Sequence, residues 1–183
     1  MTASAITMTS HLDVTELRHA FSCFPSGLAA LCSLDGGVPI GIVASSFTSV
    51  SLDPPLVSVC IQKSSRTWPA LRSRSSLGIS VLAAGHDSVA SSLAAREGDR
   101  FKDVPWYVDG VDAVLIDGSV ATFECIAHSE FDAGDHIIAV FEVLTHSWDL
   151  QREPLVFHHS KFRTLHVQNP RPTGHLTNRS NRS

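Results

Sequence analysis

Two short stretches of this chain concentrate side chains able to hold an anion, and both lie within residues 38–68. The first carries the hydroxyls Ser45, Ser46, Thr48, Ser49 and Ser51. The second, Lys63-Ser64-Ser65-Arg66-Thr67, sets two cations among three hydroxyls just ahead of a predicted helix. Thr67 is placed to cap that helix and Pro69 falls in its first turn, where a missing N–H costs little. An arginine with hydroxyl donors at a helix N-terminus is a ready-made phosphate site. Taken alone, a run of serines is a solvated loop. Two such segments flanking one buried strand can instead converge on a single ligand. A third group, Gly134-Asp135-His136, reads as a tight turn bearing a histidine, which by itself is compatible with a surface hydrogen-bonder.

The elements that must position these groups follow from the apolar pattern. Ile40–Ala44 and Leu56–Ile61 are short β-branched runs and read as buried strands. The hydroxyl-rich segment between them is read as a loop, punctuated by Asp53-Pro54-Pro55, since proline cannot donate to a ladder. Upstream, Asp13 or Thr15 caps a predicted helix with Leu17, Phe21 and Phe24 on one face, stopped by Pro25-Ser26-Gly27. Leu28 to Leu34 follows as a strand, and Asp35-Gly36-Gly37 turns it back in a hairpin. Downstream, a short helix to about Ser73 precedes a strand at Leu77–Leu82. A second helix, capped by Asp87 or Ser88, carries Val89 and Leu93 and ends at Gly98.

Residues 99–112 read as irregular, with Trp106 and Tyr107 anchoring the loop. Strands are expected at Val114–Ile116, Ser119–Phe131, His136–Leu144, Leu155–Phe157 and Phe162–Val167. Many short strands joined by hairpins, with few helices, predict a mainly β chain built as an antiparallel barrel. The expected layout is a flexible tail over residues 1–12, one domain over 13–167 and a disordered tail over 168–183.

Composition narrows the function. With 183 residues and 43% hydrophobic content the chain can bury one full core. A net charge of -4 with no basic run argues against nucleic acid. No stretch is apolar enough for a membrane span and the N-terminus carries no leader pattern, so a soluble, cytoplasmic protein is expected. Cys23, Cys32, Cys60 and Cys125 are scattered and read as free thiols. The ten histidines form no metal-ligand spacing, so no metal is expected. No G-x-G-x-x-G follows a strand, so any nicotinamide chemistry must use a site other than the doubly wound type.

The pattern G-x-x-A-x-S-F-T-S-V-S-L-D-P-P-L-V, followed by S-R-T-W, resembles the short-chain flavin reductases that serve two-component flavin-dependent monooxygenases. F-P-S-G-L at Phe24–Leu28 resembles their entry to the first strand, and G-D-H at Gly134–His136 resembles their turn facing the flavin. The resemblance spans about Leu17 to Leu165. It implies an FMN-binding split β-barrel and a homodimer. It further implies an NAD(P)H-dependent enzyme that reduces FMN or FAD, with NADH or NADPH as hydride donor, for a separate monooxygenase partner.

Flavin binding needs a flat apolar slot, donors at the ring's polar edge and cations at the phosphate. Ala44, Ser45, Ser46 and Phe47, with Cys60, Ile61 and Gln62, are the candidates for slot and donors. Ser65, Arg66 and Thr67 are candidates for the phosphate. The resemblance adds Ser49 and Ser51 near the ribityl and phosphate region. It puts Gly134 and Asp135 at the flavin-facing turn and His136 where reduced nicotinamide binds, in an orienting role. It departs near the C-terminus: relatives show an aromatic and then R-G-x-Y, where this chain has Phe157-His158-His159-Ser160-Lys161-Phe162. His158 or His159 is the candidate substitute. The rival reading is a non-enzymatic flavin- or haem-binding protein on the same barrel, since fold does not fix activity.

Overall fold

The computed structural model describes residues 13–165. The tails expected over 1–12 and 168–183, and the end of the last expected strand at 166–167, lie outside the described residues. The architecture is mainly β with three helices. One large sheet runs in the order β4 (Thr48–Leu52), β5 (Pro55–Gln62), β10 (His136–Trp148), β9 (Ala121–Ala133), β6 (Leu77–Val81), β2 (Ala29–Asp35), β8 (Ala113–Ile116) and β7 (Trp106–Asp109). β3 (Val38–Ala44) pairs with β2 off this path. A small sheet joins β1 (Ser26–Gly27), β11 (Val156–His158) and β12 (Lys161–Arg163). The sheets do not close, which gives a split rather than a continuous barrel.

β2 explains the layering. Residues Ala29 to Ser33 are all buried, so neither face of that stretch meets water. Because side chains alternate along a strand, Ala29 and Leu31 enter one core while Ala30 and Cys32 enter another. The first core is sealed by Phe141, Ile79, Leu71 and Trp68, whose indole meets Phe141 edge-on at a centroid distance of 6.1 Å. The second takes Leu82, Leu93, Phe101 and Ile116. Ser33 is buried in the same strand, and its hydroxyl reaches the carbonyl oxygens of Ser76 at 2.9 Å and Asp112 at 3.1 Å.

The helices differ from expectation in instructive ways. α1 (Val14–Ser22) is capped by Asp13, whose carboxylate accepts from the N–H groups of Thr15 and Glu16. Its apolar face finds no core among the described residues: none of its residues is buried, and Phe21 and, just past its end, Phe24 are 70% and 78% exposed. α2 (Trp68–Leu71) is only four residues long. Thr67 caps it without a side-chain bond, and the Ser65 hydroxyl takes the Trp68 N–H at 3.2 Å instead. α3 (Asp87–Ala94) begins after His86 rather than being capped by Asp87 or Ser88. It ends at Ala95, which is already extended, so Gly98 lies beyond its end.

Two segments read as irregular are strands. The serine run forms β4, pairing with β5 from Thr48↔Ser58 to Leu52↔Pro55 around an Asp53-Pro54 turn. Residues 106–109 form β7, with Trp106 packed on the core and Tyr107 left exposed.

Candidate functional site

The site arises where the chain changes partners. β3 is tied to β2, β4 is tied to β5, and Ser45-Ser46-Phe47 carries the chain from one pair to the other. Ser46 fixes this crossing. Its hydroxyl accepts the Cys60 N–H at 2.9 Å and donates to the Cys60 carbonyl at 3.2 Å, so a side chain extends the β4–β5 ladder by one rung. Beside this crossing opens a cavity of about 740 Å³, within the usual range for small-molecule sites.

Three walls meet there. Ala44, Ser45 and Ser46 come from the end of β3 and the crossing, and Cys60, Ile61 and Gln62 from the end of β5. The loop Ser64–Thr67 forms the polar wall, with Ser65, Arg66 and Thr67 as expected. His136 closes the rim from the start of β10, where it pairs with Gln62 of β5.

The sequence-derived set therefore divides. Ten of its residues line one cavity, namely Ala44, Ser45, Ser46, Cys60, Ile61, Gln62, Ser65, Arg66, Thr67 and His136. Phe47 turns away and stacks on Phe123 at 5.8 Å. Ser49 and Ser51 stand on the edge strand β4, outside the lining. Gly134 and Asp135 make the two-residue turn between β9 and β10, with Gly134 at φ +66°, a conformation glycine adopts freely.

His136 is held by its neighbour. Its Nδ1 lies 2.7 Å from an Asp135 carboxylate oxygen, and the two side chains are 34% and 89% exposed. That bond, together with the histidine's charge, holds the Asp135 carboxyl below its ordinary range. His158 and His159 do not reach the cavity lining. They stack on one another at 4.0 Å, His158 Nε2 sits 3.2 Å from the Cys23 carbonyl, and the His159 N–H bonds the Ser22 carbonyl. The departure at the C-terminus thus ties β11 to the end of α1 rather than replacing a group in the cleft.

Arg96 and Arg100 also line the cavity and were not anticipated. They follow α3 in A-R-E-G-D-R, a segment read as helix end and loop; cations spaced around a glycine just past an apolar helix face were the available signal. Arg100 donates from one Nη1 to the Gly41 carbonyl at 3.1 Å and to the Thr67 hydroxyl at 3.0 Å. Arg66 donates from Nη2 to the Arg96 carbonyl at 3.1 Å. No carboxylate stands among the lining residues, so a chain of net charge -4 keeps a cationic cavity. Because α2 is four residues long, this anion site rests on side chains and not on a helix terminus. An apolar floor of Ile42, Ala44 and Ile61 beside hydroxyls and guanidinium groups fits a flat heterocycle that carries phosphate.

Known proteins share this fold. The flavin reductase like domain family matches residues 21–166. The reductase subunit HsaB of a flavin-dependent monooxygenase from Rhodococcus jostii is 30% identical over 82% of this chain and 77% of its own. The actinorhodin polyketide dimerase of Streptomyces coelicolor is 36% identical over 84% and 87%. Among solved structures, the Streptomyces globisporus NADH:FAD oxidoreductase SgcE6, in complex with NAD and FAD fragments, superposes with a TM-score of 0.82. It is 35% identical, over 88% of this chain and 98% of that one.

The chain belongs to the flavin reductase family, on a split β-barrel. It is an NAD(P)H:flavin oxidoreductase.

Proposed function

We propose that the cavity beside the β3–β4 crossing is where this reductase takes up FMN or FAD, reduces it with NADH or NADPH, and releases it to a separate monooxygenase. The observation that carries this is one cavity with an apolar floor, a wall of hydroxyls and arginines without a carboxylate, and His136 at its rim. Ile61 and Ala44 hold the ring, and the Ser45–Ser46 crossing offers donors to its polar edge. Arg66, Ser65 and Thr67 grip the phosphate through charge-assisted bonds.

When bound, the flavin supplies the ring that accepts the hydride. The protein's share is alignment, because hydride passage needs reacting atoms stacked at close range more than it needs an acid or base. His136, with Nδ1 engaged by Asp135, keeps Nε2 for the nicotinamide and orients it.

The reductase subunit of the Rhodococcus jostii monooxygenase supports a two-component arrangement for this chain. A second copy of the chain is the proposed cover for the exposed face of α1 with Phe21 and Phe24, making a homodimer. The four free cysteines among the described residues accord with a cytoplasmic location. Among those residues no helix is long and apolar enough to cross a membrane.

The test is anaerobic stopped-flow mixing of NADH or NADPH with the protein and each flavin. Flavin affinity should be micromolar, roughly 8 kcal/mol, as suits a flavin that must leave. Turnover by the protein that survives truncation of Arg66, Ser46 and His136 together would place the reaction elsewhere. The Streptomyces coelicolor relative bears the name of a dimerase, so reduced flavin should also be offered to a monooxygenase and its hydroxylated product measured.

A further inference from the structure

Resting on the assignment of this cavity to flavin, the arrangement of its arginines carries a choice between the two flavins. Arg66 and Arg100 are each tethered by one end of the guanidinium only. Arg66 spends Nη2 on the Arg96 carbonyl, and Arg100 spends Nη1 on Gly41 and Thr67. A guanidinium carries five N–H donors, so each keeps others to spare. Neither arginine, nor Arg96, has a carboxylate partner among the described residues. Each is a pre-oriented fork, which loses little further freedom when it meets a phosphate.

The two forks belong to different walls. Arg66 is fastened to the end of α3, and Arg100 to β3 and to the loop before α2. The Thr67 hydroxyl joins them, being adjacent to Arg66 in sequence and bonded to Arg100. A single phosphate monoester is satisfied by one fork with the neighbouring Ser65 and Thr67 hydroxyls. A second anchored fork matches a second phosphate. The cavity lining also includes Leu93, Ala94 and Ala95, an apolar stretch beside the floor residues Ala44 and Ile61. A ligand with aromatic groups and two phosphates matches a lining that joins two apolar stretches with two anchored forks.

We propose that Arg100 is a specificity-determining residue that reads the second phosphate of a dinucleotide flavin, so that this chain takes FAD in preference to FMN.

Titration of FAD, FMN and riboflavin against the wild type, Arg100→Gln and Arg100→Lys tests this, with circular dichroism melting to confirm folding. The wild type should bind FAD about 10-fold or more tightly than FMN, the loss expected from one charge-assisted contact. Arg100→Gln should bring the two within about 3-fold while moving FMN and riboflavin little, and Arg100→Lys should recover part of the difference. A residue that merely staples β3 to Thr67 would weaken all three flavins alike and leave the ratio untouched, and that result would overturn the proposal. So would equal affinity of the wild type for FAD and FMN. A rise in KM for NADH with the flavin ratio unchanged would overturn it too, by giving the second fork to the nicotinamide. Binding of no flavin at all would remove the cavity assignment itself and the proposal with it.

Discussion

Replacing His136 by alanine separates the two halves of the site. The side chain is one-third exposed at the start of β10, and its Nδ1 is committed to Asp135 at 2.7 Å. One ring nitrogen is therefore left for a substrate, and the loss amounts to one hydrogen bond. A neutral hydrogen bond is worth about 0.5–1.5 kcal/mol, which is roughly 2- to 13-fold in the ratio of hydride-transfer rate to nicotinamide affinity. Flavin affinity should change by less than about 2-fold, because the proposed polar grip comes from the Ser64–Thr67 loop and the crossing, which line the cavity without His136. The assay is a flavin titration followed by single-turnover reduction over a range of nicotinamide concentrations. His136→Asn, which keeps a donor at nearly the same reach, should fall between wild type and alanine. If flavin affinity fell about 10-fold while hydride transfer at saturation stayed normal, the reasoning would be refuted and His136 would belong to the flavin grip.

Further outcomes follow from the same geometry. Arg66→Ala should weaken FMN by about 1.5 kcal/mol, the lower end for a charged hydrogen bond because this side chain is exposed. Riboflavin, lacking the phosphate, should bind both forms equally, and an equal loss would show that Arg66 acts on the fold. Gly78→Ala should destabilise the protein by roughly 3 kcal/mol or more in urea unfolding, since an added Cβ runs into the Val114 backbone. Exposed Cys60 lines the cavity, so flavin should slow its labelling by a maleimide, while exposed Cys23 should label at an unchanged rate. Burial pushes the Cys125 thiol up to about 12 from its ordinary 9.0, and raises Cys32 also. The folded state thus keeps a proton that the unfolded chain releases, so this contribution is complete below pH 9.0 and fades as pH rises toward 12. Urea titrations across that window should show a shallower decline for Cys125→Ala than for wild type.

The strands with the longest apolar runs were legible in the sequence: Leu28 to Leu34 and Leu56 to Ile61 came out within a residue or two of β2 and β5. In β2 the run is continuous because the strand is buried on both faces over Ala29 to Ser33, whereas in β5 burial alternates. β4 was not legible: Thr48-Ser49-Val50-Ser51-Leu52 has a half-polar alternation that turn chemistry mimics, and only its pairing with β5 decides the matter. The apolar pattern of α1 was legible, but nothing local shows that its residues stay unburied among the described residues. In the site, contiguous residues such as Ser65, Arg66 and Thr67 announced themselves by composition. Arg100 did not, because its meaning depends on two contacts, Gly41 and Thr67, that are distant in sequence. Phe47 sat inside the recognised motif yet points to Phe123, since neighbours on a turning chain need not share a face.

The cavity draws every lining residue but one from the span Ile42–Arg100; His136 alone comes from elsewhere, on the hairpin of β9 and β10. On the proposed assignment, that division would make the two substrates separable under selection. With His136 on the proposed donor side, substitutions near the hairpin turn would retune the choice or speed of the hydride donor without disturbing the acceptor's grip. Changes around Arg66 and Arg100, the proposed phosphate readers, would exchange one acceptor for another while the donor side persists. A scaffold partitioned in this way can diversify one specificity at a time, with each intermediate variant still able to hold one of its two substrates.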